Sequence, residues 1–465
     1  MGSKWKRVTV ADVCTSIVDC VNKTAPVVEY PTNYKMIRTP NIRSGKVTLD
    51  GCRYVEKEVY ETWTRRSKPQ KEDVLLTREA PLGEVGIITT DENIFLGQRI
   101  MQYRADKNKI YPYFLLYSFL SPDLQQQFSM HEGSGSVVSH IRVGDCSKFE
   151  INIPPLEVQR SIVEVLKSID DHIDVNIKIN QTLEQMSQTL FKSWFVDFDP
   201  VIDNALDAGK SIPEALQSRA ELRQKVRNSA DFKPLPADIR ALFPAEFEET
   251  ELGCIPKGWN INNVGRLSEN IFSGGTPNTN TEEYWNGTLN WFSSGETRNS
   301  IIIETEKKIT EAGVKNSSTR LSVSGDILIA SAGQGHTRGQ TSLNTIDTYI
   351  NQSVVCIRPM KSSYSSWLYF NISSRYEEMR AISDSHSIRG SLTTKLIASM
   401  KVISPNDNLI SLFDTSCSTF IRKMRNNLQL SCELKKLRDT LLPKLISGEL
   451  SLEELPDLIK QTEPT

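Results

Sequence analysis

The sequence predicts an α+β protein in which two globular units are separated by two long helices that pair as an antiparallel coiled coil. Three observations carry this. The stretch from Trp5 to Pro155 has an ordered echo from Trp259 to Pro405, displaced by roughly 250 residues, and a long-period duplication sets the frame for everything else. Short apolar runs bounded by turn residues fill both copies. A heptad pattern then follows each copy.

Within the first copy the runs are Val74-Leu75-Leu76, Val85-Gly86-Ile87-Ile88 and Ile100-Met101-Gln102-Tyr103. In the second they are Ile301-Ile302-Ile303, Ile327-Leu328-Ile329 and Val354-Val355-Cys356-Ile357. Clusters of Gly, Asn, Asp and Ser between them mark turns, so these segments read as short strands. A helical stretch follows the last of them in each copy, Tyr111 to Phe128 and Tyr364 to Ile382. The copies match at Trp5 and Trp259, at Asp73-Val74-Leu75-Leu76 and Asp326-Ile327-Leu328-Ile329, and at Gln98 and Gln352. Phe149-Glu150-Ile151-Asn152-Ile153-Pro154 matches Met400-Lys401-Val402-Ile403-Ser404-Pro405, so the offset drifts only from 254 to 251.

From Ile162, steps of four and three pass through Leu166, Ile169, Ile173, Asn176, Asn180, Leu183, Ser187, Leu190 and Trp194. The C-terminal counterpart runs Ile410, Phe413, Cys417, Phe420, Met424, Asn427, Ser431 and Leu434. Both seams are apolar at their ends and polar in the middle. A lone helix of this kind must bury its stripe, and each helix is the natural partner of the other. Ile173, Asn180 and Leu183 on one side, with Phe420, Asn427 and Leu434 on the other, are the expected pairing residues. Antiparallel pairing sets Asn176 and Asn180 near Asn427 and Ser431. The competing arrangement is two separate amphipathic helices, each packed on its own domain. Helices of this length span about 50–60 Å, which suits a ruler between two sites. Residues 197–255, rich in Asp, Glu, Ala and Pro, read as an extended acidic connector, partly ordered at most, with a short charged helix over Ser218 to Arg227.

The expected domains are therefore 1–153, a helix over 154–197, an acidic linker over 198–255, a second domain over 256–406, a helix over 407–448 and a tail over 449–465. No apolar run reaches the ~18 residues a membrane span requires, and no apolar signal segment opens the chain, so a cytoplasmic, membrane-free protein is expected. Lys6 stands where a myristoylation motif wants Ser or Thr. Eight cysteines (14, 20, 52, 146, 254, 356, 417 and 432) and five histidines are scattered without metal-ligand spacing, so neither a metal site nor a disulfide framework is expected.

The net charge of −2 hides a division. Residues 1–153 carry 21 Lys and Arg against 18 Asp and Glu, a net +3, and residues 256–406 carry 15 against 12, again +3. Residues 154–255 carry 11 against 18, a net −7. Mildly basic repeats joined by an acidic connector permit nucleic-acid binding by the repeats.

Catalytic motifs are not found. Gly209-Lys210-Ser211 has Asn204 where a phosphate loop needs its first glycine, and Gly333-Gln334-Gly335-His336-Thr337-Arg338-Gly339 has the wrong spacing for a dinucleotide loop. No Asn/Asp-Pro-Pro-aromatic loop is present to hold a flipped base. No catalytic residue is expected. What remains is a set of basic and polar residues recurring in loops of both repeats. These are Arg38, Arg43, Arg65, Arg66, Lys68 and Arg142 in the first, and Ser293, Arg298, Gln334, Arg338 and Arg389 in the second. Such side chains bind phosphates and base edges, which makes these the expected DNA-binding residues.

Two signatures are family-specific. Ile153-Pro154-Pro155-Leu156-Glu157-Val158-Gln159-Arg160, followed by a heptad helix ending in Trp194-Phe195-Val196-Asp197-Phe198-Asp199-Pro200, resembles the central spacer of type I restriction–modification specificity subunits. Leu437-Arg438-Asp439-Thr440-Leu441-Leu442-Pro443-Lys444-Leu445-Ile446-Ser447-Gly448-Glu449-Leu450 resembles their C-terminal signature. Gly253-Cys254-Ile255-Pro256-Lys257-Gly258-Trp259 is similar to the start of their second recognition domain.

The resemblance implies two target recognition domains, each reading half of a split, asymmetric site on double-stranded DNA. It implies spacer helices that dock two modification (methyltransferase) subunits, which carry adenine-N6 methylation, and two restriction subunits for translocation and cleavage. S-adenosylmethionine, ATP and Mg then belong to those partners, with no cofactor on this chain. A structural adaptor, or an enzyme with an unrecognised site, is the alternative.

Overall fold

The computed structural model describes residues 5–130, 140–333, 336–386 and 391–454. The chain divides into two compact units, residues 1–174 with 432–465, and residues 175–431. Each unit takes part of both long helices, which run over Leu156–Phe195 and Asp407–Ser447.

In the first unit, Lys6–Thr9 pairs antiparallel with Glu150–Ile153, so the strands that open and close the domain lie side by side. The main sheet has six strands in the order Cys14–Asp19, Ile100–Ala105, Val74–Arg78, Leu82–Ile87, Gly45–Val47 and Ile42–Arg43. A second sheet runs Arg53–Tyr54, Tyr34–Ile37, Asn93–Leu96. Val74, Leu75, Leu76 and Thr77 are all buried, because this strand has a neighbour on each side and cover on both faces.

The second unit repeats this connectivity. Asn260–Asn263 pairs with Lys401–Ser404, and the main sheet runs Ser268–Ser273, Val354–Pro359, Ile327–Ala330, Thr341–Asn344, Ile301–Ile302. Even the parallel pairs recur: Tyr34–Ile37 with Asn93–Leu96 corresponds to Trp285–Phe292 with Thr348–Ile350. The weak sequence echo is therefore a structural duplication.

A buried ion pair marks the same place in each copy. Asp73, 1% exposed, lies 2.8 Å from Arg104 and also accepts from the Gln102 amide at 2.7 Å. Asp326, also 1% exposed, lies 2.9 Å from Arg358, with the Cys356 thiol at 3.4 Å. A carboxylate so buried is tolerable only because it is paired.

The helices pair antiparallel within each unit. In the second, Asn427 donates to Asn180 Oδ1 at 2.8 Å, Asn180 to the Met424 carbonyl at 3.1 Å, and Asn176 to Ser431 Oγ at 3.3 Å. Leu183 and Phe420 are half-buried, and Phe191, Trp194 and Phe195 pack around Phe413. In the first unit Ile173 is buried in the domain core, Leu434 packs against it, and Arg438 reaches Asp170 at 2.9 Å. The helices also bury against their own domains, so the two arrangements weighed from the sequence coexist.

In residues 197–255 the short charged helix expected over Ser218 to Arg227 is present as Gln217–Arg227, but the surrounding chain differs from the expectation. The segment is not an extended connector but folds into helices Asp199–Asp207 and Gln217–Arg227 and a hairpin of Phe247–Thr250 with Gly253–Pro256. Asp199, Asp203 and Asp207 recur every four residues on one helix, and Arg219, Arg223 and Arg227 do so on the other. They pair in that order, with Arg219 Nη2 2.7 Å from Asp199. Arg240 also pairs with Asp207. An acidic composition was thus a ladder half, neutralised by its neighbouring helix. Phe198, Phe243 and Trp259 seat the segment on the aromatic core of the second unit.

Candidate nucleic-acid interface

In the first unit three loops converge on the turn between Val74–Arg78 and Leu82–Ile87, which contains the cis Ala80–Pro81 bond. Thr39 Oγ1 donates to the Ala80 carbonyl at 2.9 Å, anchoring the turn that carries Arg38. Arg43 approaches Glu84 at 3.6 Å. Ile141 N donates to the Arg78 carbonyl at 3.0 Å, and Arg78 Nη1 returns a bond to the Ile141 carbonyl at 3.1 Å, which fixes the segment leading to Arg142. The structure thus gathers Arg38, Arg43 and Arg142 at one end of the sheet. Arg142 is exposed, while Arg38 is half-buried with Nη2 on the Gly51 carbonyl at 3.1 Å.

Arg66 meets the same sheet end through Asp19, at 2.5 Å, because the register sets Asp19 opposite Met101 and Thr77 opposite Ile100. Arg65 turns back on its own helix, donating to the Thr62 carbonyl at 3.1 Å. Lys68 sits 5.9 Å over the Tyr60 ring, and its backbone carbonyl accepts from Arg104. These two are held away from the turn.

The sequence did not point to Arg99. It adopts φ 74° beside the turn and lies 2.8 Å from Glu79, with Ser44 (φ 47°) and Ala80 (φ 51°) in the same loop cluster. Left-handed non-glycine residues are costly, and they concentrate where a binding geometry is held in place. No composition or periodicity reveals such angles; only the repeat marker Gln98 lay nearby.

The second unit builds the equivalent place differently. A long loop, 331–340, joins Ile327–Ala330 to Thr341–Asn344. Ser293 opens a short turn whose Glu296 carboxylate accepts from its N–H at 2.8 Å and from its hydroxyl at 3.0 Å. Thr297 Oγ1 donates to Gln340 at 3.3 Å, and Leu392 N donates to the Ser331 carbonyl at 2.8 Å. Ser293 and Arg298 are therefore brought to this loop, with Arg298 exposed and paired to Glu306. Arg338 is 8% exposed and ion-paired with Asp384, so its guanidinium braces the loop and is not displayed on the surface. Gln334 and Arg389 lie outside the described residues.

Guanidiniums, hydroxyls and amides surround the turns, and among the described residues no three or more His, Cys, Asp or Glu side chains are arranged to hold a metal. The thiols that respond to their surroundings are pushed away from nucleophilic character: burial raises Cys14 to about 12 and Cys146 to about 11. No described helix is long and apolar enough to cross a membrane.

Comparison with known proteins decides the family. A family model described as type I restriction modification DNA specificity domain matches residues 2–185 and 256–410. The chain belongs to this family. Each match begins near the paired tryptophans and ends within a long helix, so each covers one structural repeat.

The specificity subunit is 26% identical to the type I restriction enzyme HindI specificity subunit of Haemophilus influenzae, over 82% of this chain and 87% of that protein. It is 24% identical to the MjaIX specificity subunit of Methanocaldococcus jannaschii, over 83% and 79%. Its fold resembles the crystal structure of a type I restriction–modification system S subunit from M. genitalium, with a TM-score of 0.56, 16% identity and 96% of each chain covered.

Proposed function

We propose that this specificity subunit reads the two halves of a bipartite, asymmetric site on double-stranded DNA, one half with each unit. It directs adenine-N6 methylation, and cleavage, by partner subunits. Two modification subunits supply S-adenosylmethionine chemistry and two restriction subunits supply ATP- and Mg-dependent translocation and cutting, in the cytoplasm. This chain contributes recognition and no catalysis.

The observation that carries the reading is one scaffold with two sets of loops. The two units share strand order and the buried Asp–Arg pair but present different residues at the same turn: Arg38, Arg43 and Arg142 in one, Ser293 and Arg298 in the other. Function placed on loops of a rigid sheet is how one fold comes to read different sequences.

Co-expression with the modification subunit in a methylation-free host, followed by single-molecule mapping of N6-methyladenine, tests this directly. A two-part asymmetric motif with a fixed gap is the expected result. An assembled complex that methylates nothing new removes the DNA-reading role and leaves an adaptor. Inserting or deleting four residues within Leu183–Leu190 is expected to change the gap while keeping both half-sites. Loss of one half-site at an unchanged gap would show that the helices are not the ruler.

A further inference from the structure

The duplication allows the two units to be compared residue by residue along their helices. Pro154 corresponds to Pro405 and Asn176 to Asn427, so Lys167, Asp171 and Asp174 of the first unit occupy the places of Ser418, Arg422 and Arg425 in the second. On the domain side, aligning the buried Phe114 with the buried Trp367 places Tyr113 opposite Ser366.

In the first unit this flank is filled and neutralised by its own side chains. Lys167 lies 2.5 Å from Asp171 and 5.8 Å over the Tyr113 ring, and Lys46 pairs with Asp174. In the second, small side chains replace the bulky ones and leave an open groove of about 800 Å³ between the helix flank and the domain. Arg422 and Arg425, one helical turn apart, line it, and neither has an ion-pair or hydrogen-bond partner through its side chain among the described residues. The Nε–H of Arg425 is buried without an acceptor. A buried donor without an acceptor is destabilising, so the site calls for one. Ser324, Ser362 and Ser365 add hydroxyls along the groove. Three carboxylates also line it: Asp326, paired with Arg358 at 2.9 Å, Glu269, and Asp414, which accepts from Ser366 N at 3.0 Å.

DNA is the less suitable polyanion for this groove. Gly325 and Asp326 lie at the start of strand Ile327–Ala330, whereas the loop expected to read DNA leaves its far end. A strand of that length separates the two places by about 13 Å. The groove lies along the flank of the long helix Asp407–Ser447, and helices of this kind are where the family resemblance implies that modification subunits dock.

We propose that this groove receives a carboxylate-bearing segment of the modification subunit, and that the two docking faces of this chain are therefore not equivalent. The second unit takes acidic groups from its partner where the first unit supplies its own. This rests on the proposed function, because it presumes that modification subunits dock on the helices. Charged pairs closed off from water in this way tune dissociation and salt sensitivity.

The test is native mass spectrometry of the full chain titrated with its modification subunit between 50 and 300 mM ammonium acetate. Two copies are expected to bind, one released at lower salt. The double variant Arg422→Gln/Arg425→Gln is expected to weaken one copy on the order of tenfold or more and leave the other unchanged. Arg422→Lys/Arg425→Lys should retain part of that affinity, and an unchanged thermal melt shows the variants are folded. Equal effects on both copies, or none, overturn the inference while leaving the proposed function standing. Failure of any copy to bind removes the proposed docking itself. A variant that assembles normally but shows a shallower salt dependence of DNA binding assigns the groove to phosphate and also overturns the inference.

Discussion

In the first unit Asp73 is held by Arg104, in the second Asp326 by Arg358, at nearly the same distance and the same depth. A few residues further along the same strands, the units part company. One closes its turn tightly through Ala80–Pro81, and the other extends it to a loop braced by Arg338 and Asp384. On the helix flank the divergence reaches the sign of charge, from Asp171 and Asp174 to Arg422 and Arg425. Interior pairs resist change because an orphaned buried charge destabilises the whole unit, whereas tips and flanks are solvated and can vary at little cost.

The largest test of that contrast lies in the interior. Asp73→Ala and Asp326→Ala each leave an arginine without its buried counter-charge, and each is expected to cost about 3 kcal/mol, read by chemical denaturation. A large inequality between them would break the equivalence of the cores. Arg43→Ala with Arg142→Ala, both exposed, should instead leave stability within about 0.5 kcal/mol and relax one half-site only. Arg298→Ala should relax the other. Each lost base contact is expected to reduce methylation at matching sites by the equivalent of about 1–3 kcal/mol of discrimination. Both variants affecting the same half-site would show that the units do not read separately.

The polar seam gives a smaller effect on stability. Asn180→Leu with Asn427→Leu removes a paired buried amide and adds apolar surface, so the expected change is near zero or stabilising, with looser specification of register. Cysteine cross-linking across the seam, seeking shifted partners, measures it. Marked destabilisation would mean the amides stabilise more than they specify.

The mildest effect is set by pH and separates the folded insert from the first unit, which has none. Arg240 and Arg227 hold the Asp207 carboxyl below its ordinary 3.8, and Lys210 and Lys257 hold Glu246 at about 2 against an ordinary 4.5. A depressed carboxylate stabilises the fold above its unfolded value and loses that contribution as pH falls toward its folded value. The protection of amides over residues 199–256, relative to their intrinsic exchange rate at each pH, is therefore expected to fall as pH drops from about 4.5 toward 2, ahead of the first unit's sheet. Uniform loosening of both would remove any special role for these pairs.

Much of this was legible beforehand. The duplication, the strands around Val74 and Ile327, and the helix seam with Asn180 and Asn427 all show as periodicity, since a buried face must repeat with the pitch of its element. The pairing within residues 197–255 is also written in the sequence, as spacing and not as composition. Asp199, Asp203 and Asp207 and then Arg219, Arg223 and Arg227 are two rows at four-residue spacing, a pattern that net charge conceals. The burial of Arg338 is not legible in the sequence, because its partner Asp384 comes from a distant helix. The place of Arg99 beside the turn is not legible either, because it depends on a backbone angle.

The sequence by itself determined which segments fold and how often, because apolar spacing is a local property that each element carries. Tertiary structure alone decided which arginines are shown and which are spent. Arg142 and Arg298 reach the surface of their loops, Arg338 is consumed by Asp384, and Arg425 is left without an acceptor in an open groove. Those outcomes depend on partners brought in from distant parts of the chain, and the strength of a charge pair is set by the water its surroundings exclude.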